Sequence, residues 1–173
     1  MTAASGLAPC PGCGALLNIQ DGPVHRYMIS SPACWASFGT VLAGEYSNPD
    51  LLLTHRLSVD TYAVQHPGDG SPAAAQSVGL HLARLLIQLE APSSPRETNK
   101  VMLGFGRYKA FLPTLSAPKA FSMTVADVVP YAATPKHAER VRAWALAVWH
   151  DWADQHEIIR AWLKSTGQEP ASR

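Results

Sequence analysis

Cys10-Pro-Gly-Cys13-Gly sets two thiols two residues apart on a turn that Pro11 and Gly12 keep tight. That spacing lets both sulfurs face one cation at about 2.3 Å, half of a tetrahedral zinc site. Dithiol redox chemistry uses the same C-x-x-C spacing, but in a strand-to-helix context, and no strand pattern precedes Cys10. Cys34 offers a third thiol, in the first turn of a helix opened by Ser31-Pro32. There the positive end of the helix dipole favours thiolate. A buried free cysteine is the plain alternative for Cys34. One zinc ion on Cys10, Cys13 and Cys34 is the expectation, with a histidine as fourth ligand. His25 lies between the cysteines and is within easy reach of the chain. His66 competes on geometry. If the helices on either side of Ser47-Asn48 form an antiparallel hairpin, Thr61 comes level with Cys34 and His66 lies roughly 7 Å beyond, beside the cysteines. Both stay open, the hairpin favouring His66.

A second set of polar residues could do acid–base work. His55, Val59, Tyr62 and His66 share one helix face, with His55 and His66 about 16 Å apart, too far to bind one ion. Asp60 falls in the opposite, apolar stripe of Leu53, Leu57 and Val64, where a carboxylate needs a partner. A third helix turning back after Ser71-Pro72 brings His81 level with Leu57, so His55 and His81 are expected to meet in mid-bundle with Tyr62 nearby. Such a cluster would be a pocket or active site with His55, Asp60, Tyr62 and His81 as its candidates, or else a satisfied internal hydrogen-bond network.

These side chains must be positioned by helices. Ser31-Pro32, Asn48-Pro49 and Ser71-Pro72 each pair an N-cap with a proline at the first helical position. The spacing predicts helices from about 32 to 47, from 49 to His66 before Pro67-Gly68, and from 72 to near Pro92. Thr124-x-x-Asp127 resembles a capping box. From Pro135 to about Lys164, Val141, Trp144, Val148, Trp152, His156, Ile159 and Leu163 form one stripe and predict a single long helix. The tryptophans read as core, His156 as core edge and His150 as solvated. Gly104-Phe105-Gly106 lacks the Lys-Ser/Thr of a phosphate loop. Few segments alternate with a strand period. The fold class expected is all-α, a small helical bundle with an N-terminal zinc-knuckle-like segment, as a single domain. Its parts are a metal-binding lead-in (1–31), a three-helix core (32–91), an irregular middle (92–134) and the C-terminal helix (135–164).

With 173 residues, 47% apolar and 16% charged, the chain can bury a sizeable core. Fourteen basic residues against thirteen acidic ones supply no electrostatic attraction for nucleic acid or an anionic membrane. Neither a signal-peptide pattern nor a membrane-length apolar run is present, so a cytoplasmic location is expected, where an odd cysteine count does not make a disulfide framework.

The stretches CPGCG (10–14), HRYMISSPACW (25–35), EYSNP (45–49), HRLSVDTYAVQHPG (55–68) and QSVGLHL (76–82) resemble the bacterial DUF5946 family of uncharacterised proteins. The resemblance implies that the Cys/His set and Asp60-x-Tyr62-x-x-Gln65-His66 belong to the family pattern; it implies no activity. Three functions fit, and whether the protein is an enzyme stays open among them. One is a small-molecule-binding or catalytic protein with a pocket at His55, Tyr62 and His81. Another is a non-enzymatic interaction protein with structural zinc. The third is a thiol- or metal-responsive sensor.

Overall fold

The computed structural model describes residues 6–90, 100, 103–104 and 112–167. Two short strands, β1 (Leu7–Pro9) and β2 (Leu16–Asn18), pair antiparallel with Leu7 opposite Asn18 and Pro9 opposite Leu16. The helices are α1 (Pro32–Ser47), α2 (His55–Gln65), α3 (Pro72–Glu90), α4 (His137–Asp151) and α5 (His156–Thr166). The architecture is a helical bundle carrying a small N-terminal hairpin. At three residues each, the strands are too short to show a period of two, which is why the sequence pattern did not reveal them.

Ser31 caps α1 from an extended backbone (φ −74°, ψ 154°), its hydroxyl accepting from the Cys34 N–H at 3.2 Å. Ser71 does the same for α3, accepting from Ala74 N–H at 3.3 Å. Asn48-Pro49 behaves differently. The Asn48 side chain accepts from Asp50 N–H at 3.0 Å, and its carbonyl accepts from Leu51 and Leu52. The chain therefore makes a turn and a 3-10 segment (Leu52–Thr54) first, and α2 starts only at His55. The late start turns Leu53 out of the expected stripe, 81% exposed.

The single C-terminal helix expected from the long stripe is two helices. Trp152 N–H is shared between the Val148 and Trp149 carbonyls, and the chain tightens into a 3-10 turn over Ala153–Gln155. Asp151 is held there by the Ser122 N–H and hydroxyl, at 2.9 and 3.1 Å. Apolar spacing survives the break because both helices face one core, with Val141, Trp144, Val148, Ile159 and Leu163 buried. In the middle, the Thr124–Asp127 capping box encloses a 3-10 turn (Val125–Asp127). Residues 91–99, 101–102 and 105–111, including Phe105 and Gly106 of Gly104-Phe105-Gly106, lie outside the described residues.

α2 lies at the centre, packed chiefly on α3 and then on α4. Ser58 and Asp60 through His66 are all buried, although six of these eight side chains carry a polar group. Each is satisfied by a different neighbour. Ser58 hydrogen-bonds Glu45 on α1. Asp60 accepts from His81 (2.6 Å) and Gln88 (2.7 Å) on α3, with Arg84 Nε 3.1 Å away. Gln65 donates to the Met123 carbonyl at 2.7 Å and accepts from Trp144 Nε1 at 2.8 Å. Buried polar atoms are costly unless paired, so these bonds fix the register of α2 against its neighbours.

Candidate metal centre

The hairpin, α1 and the end of α2 converge on Cys10, Cys13, Cys34 and His66, whose ligand atoms all lie within 4.8 Å of one another. All are buried, at 2%, 4%, 0% and 1% exposure. Cys13 Sγ to Cys34 Sγ is 3.7 Å, and His66 Nε2 is 3.5 Å from Cys10 Sγ and 3.3 Å from Cys34 Sγ. A tetrahedral ion bound at about 2.3 Å to sulfur and 2.0–2.1 Å to nitrogen puts sulfurs about 3.8 Å apart and sulfur–nitrogen pairs about 3.5 Å apart. The group has the size of such a coordination shell and can hold a metal ion.

Local chemistry prepares each ligand. Cys10 and Cys13 sit across a turn closed by Gly14 N–H to Cys10 O (2.9 Å) and Cys10 N–H to Ala15 O (2.8 Å), with Gly14 at φ +79°. His66 donates its Nδ1–H to the Tyr62 carbonyl at 2.7 Å, which leaves the Nε2 lone pair facing the sulfurs. The Ser31 N–H points at Cys10 Sγ (3.4 Å), and the Tyr62 hydroxyl donates to Cys34 Sγ (3.5 Å). The Tyr62 ring is wedged between Phe38 and His66, with centroids 4.0 and 3.9 Å apart. Burial, and then the Cys34 sulfur, pushes the Tyr62 phenol well above its usual range and keeps it a donor.

Without a metal, the three sulfurs share protons unequally. Hydrogen bonds from Cys13 and then Cys34 hold Cys10 far below the usual thiol range. The bond to Cys10 pushes Cys13 up to about 12, and bonds to Cys10 and Cys13 push Cys34 higher still. A bound cation replaces those protons, so metal affinity rises with pH.

Gly12 leaves no room for a side chain. A Cβ there would stand 2.3 Å from the Ile29 carbonyl oxygen and 2.5 Å from His66 Cδ2. Gly12→Ala is expected to push the cysteine turn away from His66, lowering metal content and costing about 1–3 kcal/mol. Elemental analysis and denaturant unfolding of the variant measure both effects.

The structure brings His66, not His25, to the cysteines. His25 stands outside the cluster, its ring 5.3 Å from that of Trp35 and its Nδ1 accepting from the Tyr27 N–H. The expected meeting of His55, Tyr62 and His81 does not occur, because each answers a different partner. Tyr62 serves Cys34, His81 binds Asp60, and His55 donates to Glu45 on α1 at 2.9 Å. The reading from residue types overlooked Glu45, which is fully buried and also bonded to His137 (3.1 Å) and Ser58. Its signal was available: a lone acid in the final turn of an apolar helix that needs an internal partner.

The N-terminal knuckle of this helical bundle meets the central helix at a Cys3His group that could hold a metal ion. The chain belongs to DUF5946, a family of unknown function, whose family model matches residues 8–153. The match takes in every ligand-type residue of the cluster and α1 through α4. No curated protein and no solved structure matches the chain.

Proposed function

We propose that Cys10, Cys13, Cys34 and His66 bind one zinc ion in a closed structural site that takes no part in catalysis, and that the protein is an interaction protein whose knuckle the zinc holds in place. The observation that carries this is the saturation of the site. Four buried donors make up a tetrahedral set, and the Ser31 N–H and Tyr62 O–H engage the Cys10 and Cys34 sulfurs. Catalytic zinc keeps a position for water or substrate, whereas structural zinc has four protein ligands and favours Cys3His sets. Leu7, Leu16, Ile19 and Val24, exposed on the clamped segment, support the interaction reading over a pocket. The reduced cysteines fit a cytoplasmic setting, and no helix among the described residues is long and apolar enough to cross a membrane.

Protein purified without chelator is expected to contain one zinc per chain by elemental analysis. Replacement by cobalt should give the intense visible bands of a tetrahedral thiolate site, unmoved by azide or imidazole. Absence of metal, with no uptake on addition, would overturn the zinc reading. A cobalt spectrum that shifts with added azide would reveal an open position and overturn the structural one.

A further inference from the structure

The Glu45 network reaches the surface at His55 and Tyr46, and there it has the geometry of an activated hydroxyl. Glu45 and Tyr46 end α1; His55 begins α2. Between them, His55 Nδ1 lies 2.9 Å from Glu45 Oε2, and His55 Nε2 lies 3.1 Å from the Tyr46 hydroxyl. A carboxylate only accepts, so the His55 proton belongs on Nδ1, and the Nε2 lone pair of the neutral ring faces the phenol. Glu45 is itself immobilised by His137, Ser58 and Thr54. The buried acid therefore fixes both the tautomer and the orientation of the imidazole. Tyr46 is 66% exposed, so its hydroxyl is open to a substrate in solution.

We propose that Tyr46 is a nucleophile activated by the His55–Glu45 pair, with activated acyl esters as its substrate class. The arrangement is that of a hydroxyl, a general base and an orienting carboxylate, the relation that activates weak nucleophiles in covalent catalysis. In the step, the Tyr46 oxygen forms a bond to the acyl carbon and passes its proton to His55 Nε2. The bond from that carbon to the leaving oxygen breaks, and the departing alkoxide or phenoxide takes the proton from His55. The product is an O-acyl tyrosine, with no change of oxidation state. Leu52 and Leu53, exposed in the turn just before His55, are apolar, which favours an acyl chain over a phosphate as the group approaching this part of the surface. Glu45 acts only through His55 and is a positioning residue. The proposal is independent of the zinc site.

The probe is 4-nitrophenyl acetate on the full, metal-replete chain near neutral pH, with acetylation located by peptide mass spectrometry. Tyr46 is expected to acquire a stable acetyl group at least about tenfold faster than Tyr27 or N-acetyltyrosinamide in the same solution, a modest share of what general bases supply. His55→Gln keeps a side-chain N–H for Glu45 and removes the base. It should bring Tyr46 down to the Tyr27 rate while circular dichroism and metal content stay those of the wild type. Equal rates for Tyr46 and N-acetyltyrosinamide in the wild type overturn the proposal whatever the variant does. So does an unchanged Tyr46 rate in folded His55→Gln. Should His55→Gln fail to fold, the wild-type comparison decides alone.

Discussion

Cys34→Ser is expected to reduce bound metal to less than about a tenth of the wild-type level and to lower unfolding free energy by more than about 3 kcal/mol. Cys34 is fully buried at the first turn of α1, touching Cys13, His66 and the Tyr62 hydroxyl. Its loss opens the coordination set and unties three elements, the β1–β2 hairpin, α1 and α2. The hairpin has only three residues per strand and cannot stand alone, so its order rests on that tie. Since the site exists only in the folded chain, metal-binding energy is folding energy. His25→Ala supplies the contrast, because His25 packs on Trp35 outside the cluster. It should keep its metal and lose no more than about 1 kcal/mol. A strong chelator should destabilise wild type and His25→Ala but leave Cys34→Ser nearly unmoved. Equal stability of Cys34→Ser and wild type, each measured metal-free and metal-replete, would show that the cluster clamps nothing.

The contrast between His66 and His55 shows what sequence can deliver. His66 could be favoured over His25, with both left open, because a hairpin register needs only the helix rise and a turn position, and both were written in Ser31-Pro32 and Ser47-Asn48. The turn at Asn48 delays α2 until His55, yet His66 still ends beside Cys34, because the delay alters the entry to the helix more than its far end. His55 stands at that entry, where the same delay decides its neighbours. It turns toward Glu45 and Tyr46 instead of across to His81. Partner choice within a bundle depends on helix rotation to within a fraction of a turn, and periodicity does not report rotation when a helix is buried all round. α2 comes close to that case, buried continuously from Asp60 through Gln65: with polar groups directed at α1, α3 and α4, it has no single apolar stripe to orient it. The break at Trp152 escaped notice for a related reason. A 3-10 turn of three residues shifts the phase of the helical pattern too little to interrupt the stripe from Val148 to Ile159.

Removing both side chains that face Asp60 from α3 at ion-pair distance, with His81→Ala and Arg84→Ala together, is expected to cost about 3–5 kcal/mol. Asp60 is fully buried, with His81 Nδ1 at 2.6 Å and Arg84 Nε at 3.1 Å, both of these side chains reaching solvent in part. His81 and Arg84 can each recover water if Asp60 goes; the buried carboxylate cannot, so the penalty falls on the variant that strands it. His81→Ala alone leaves Arg84 and the Gln88 donor in place and should cost about 1–3 kcal/mol. Leu85→Ala, at a fully buried apolar position on the same helix, sets the scale of a pure packing loss at about 2–5 kcal/mol. The decisive comparison is the same pair of substitutions in an Asp60→Asn background. An amide carries no charge to strand, so the pair should cost at least about 1 kcal/mol less there than in the wild type. Denaturant unfolding at fixed zinc concentration gives all these values. A pocket built for a ligand predicts the reverse, since an empty site of repelling or strained groups gains stability when trimmed. If His81→Ala leaves stability unchanged or raises it, and Asp60→Asn removes none of the cost of the pair, the Asp60 cluster is not internal glue, and His81 would again be a candidate for binding a small molecule.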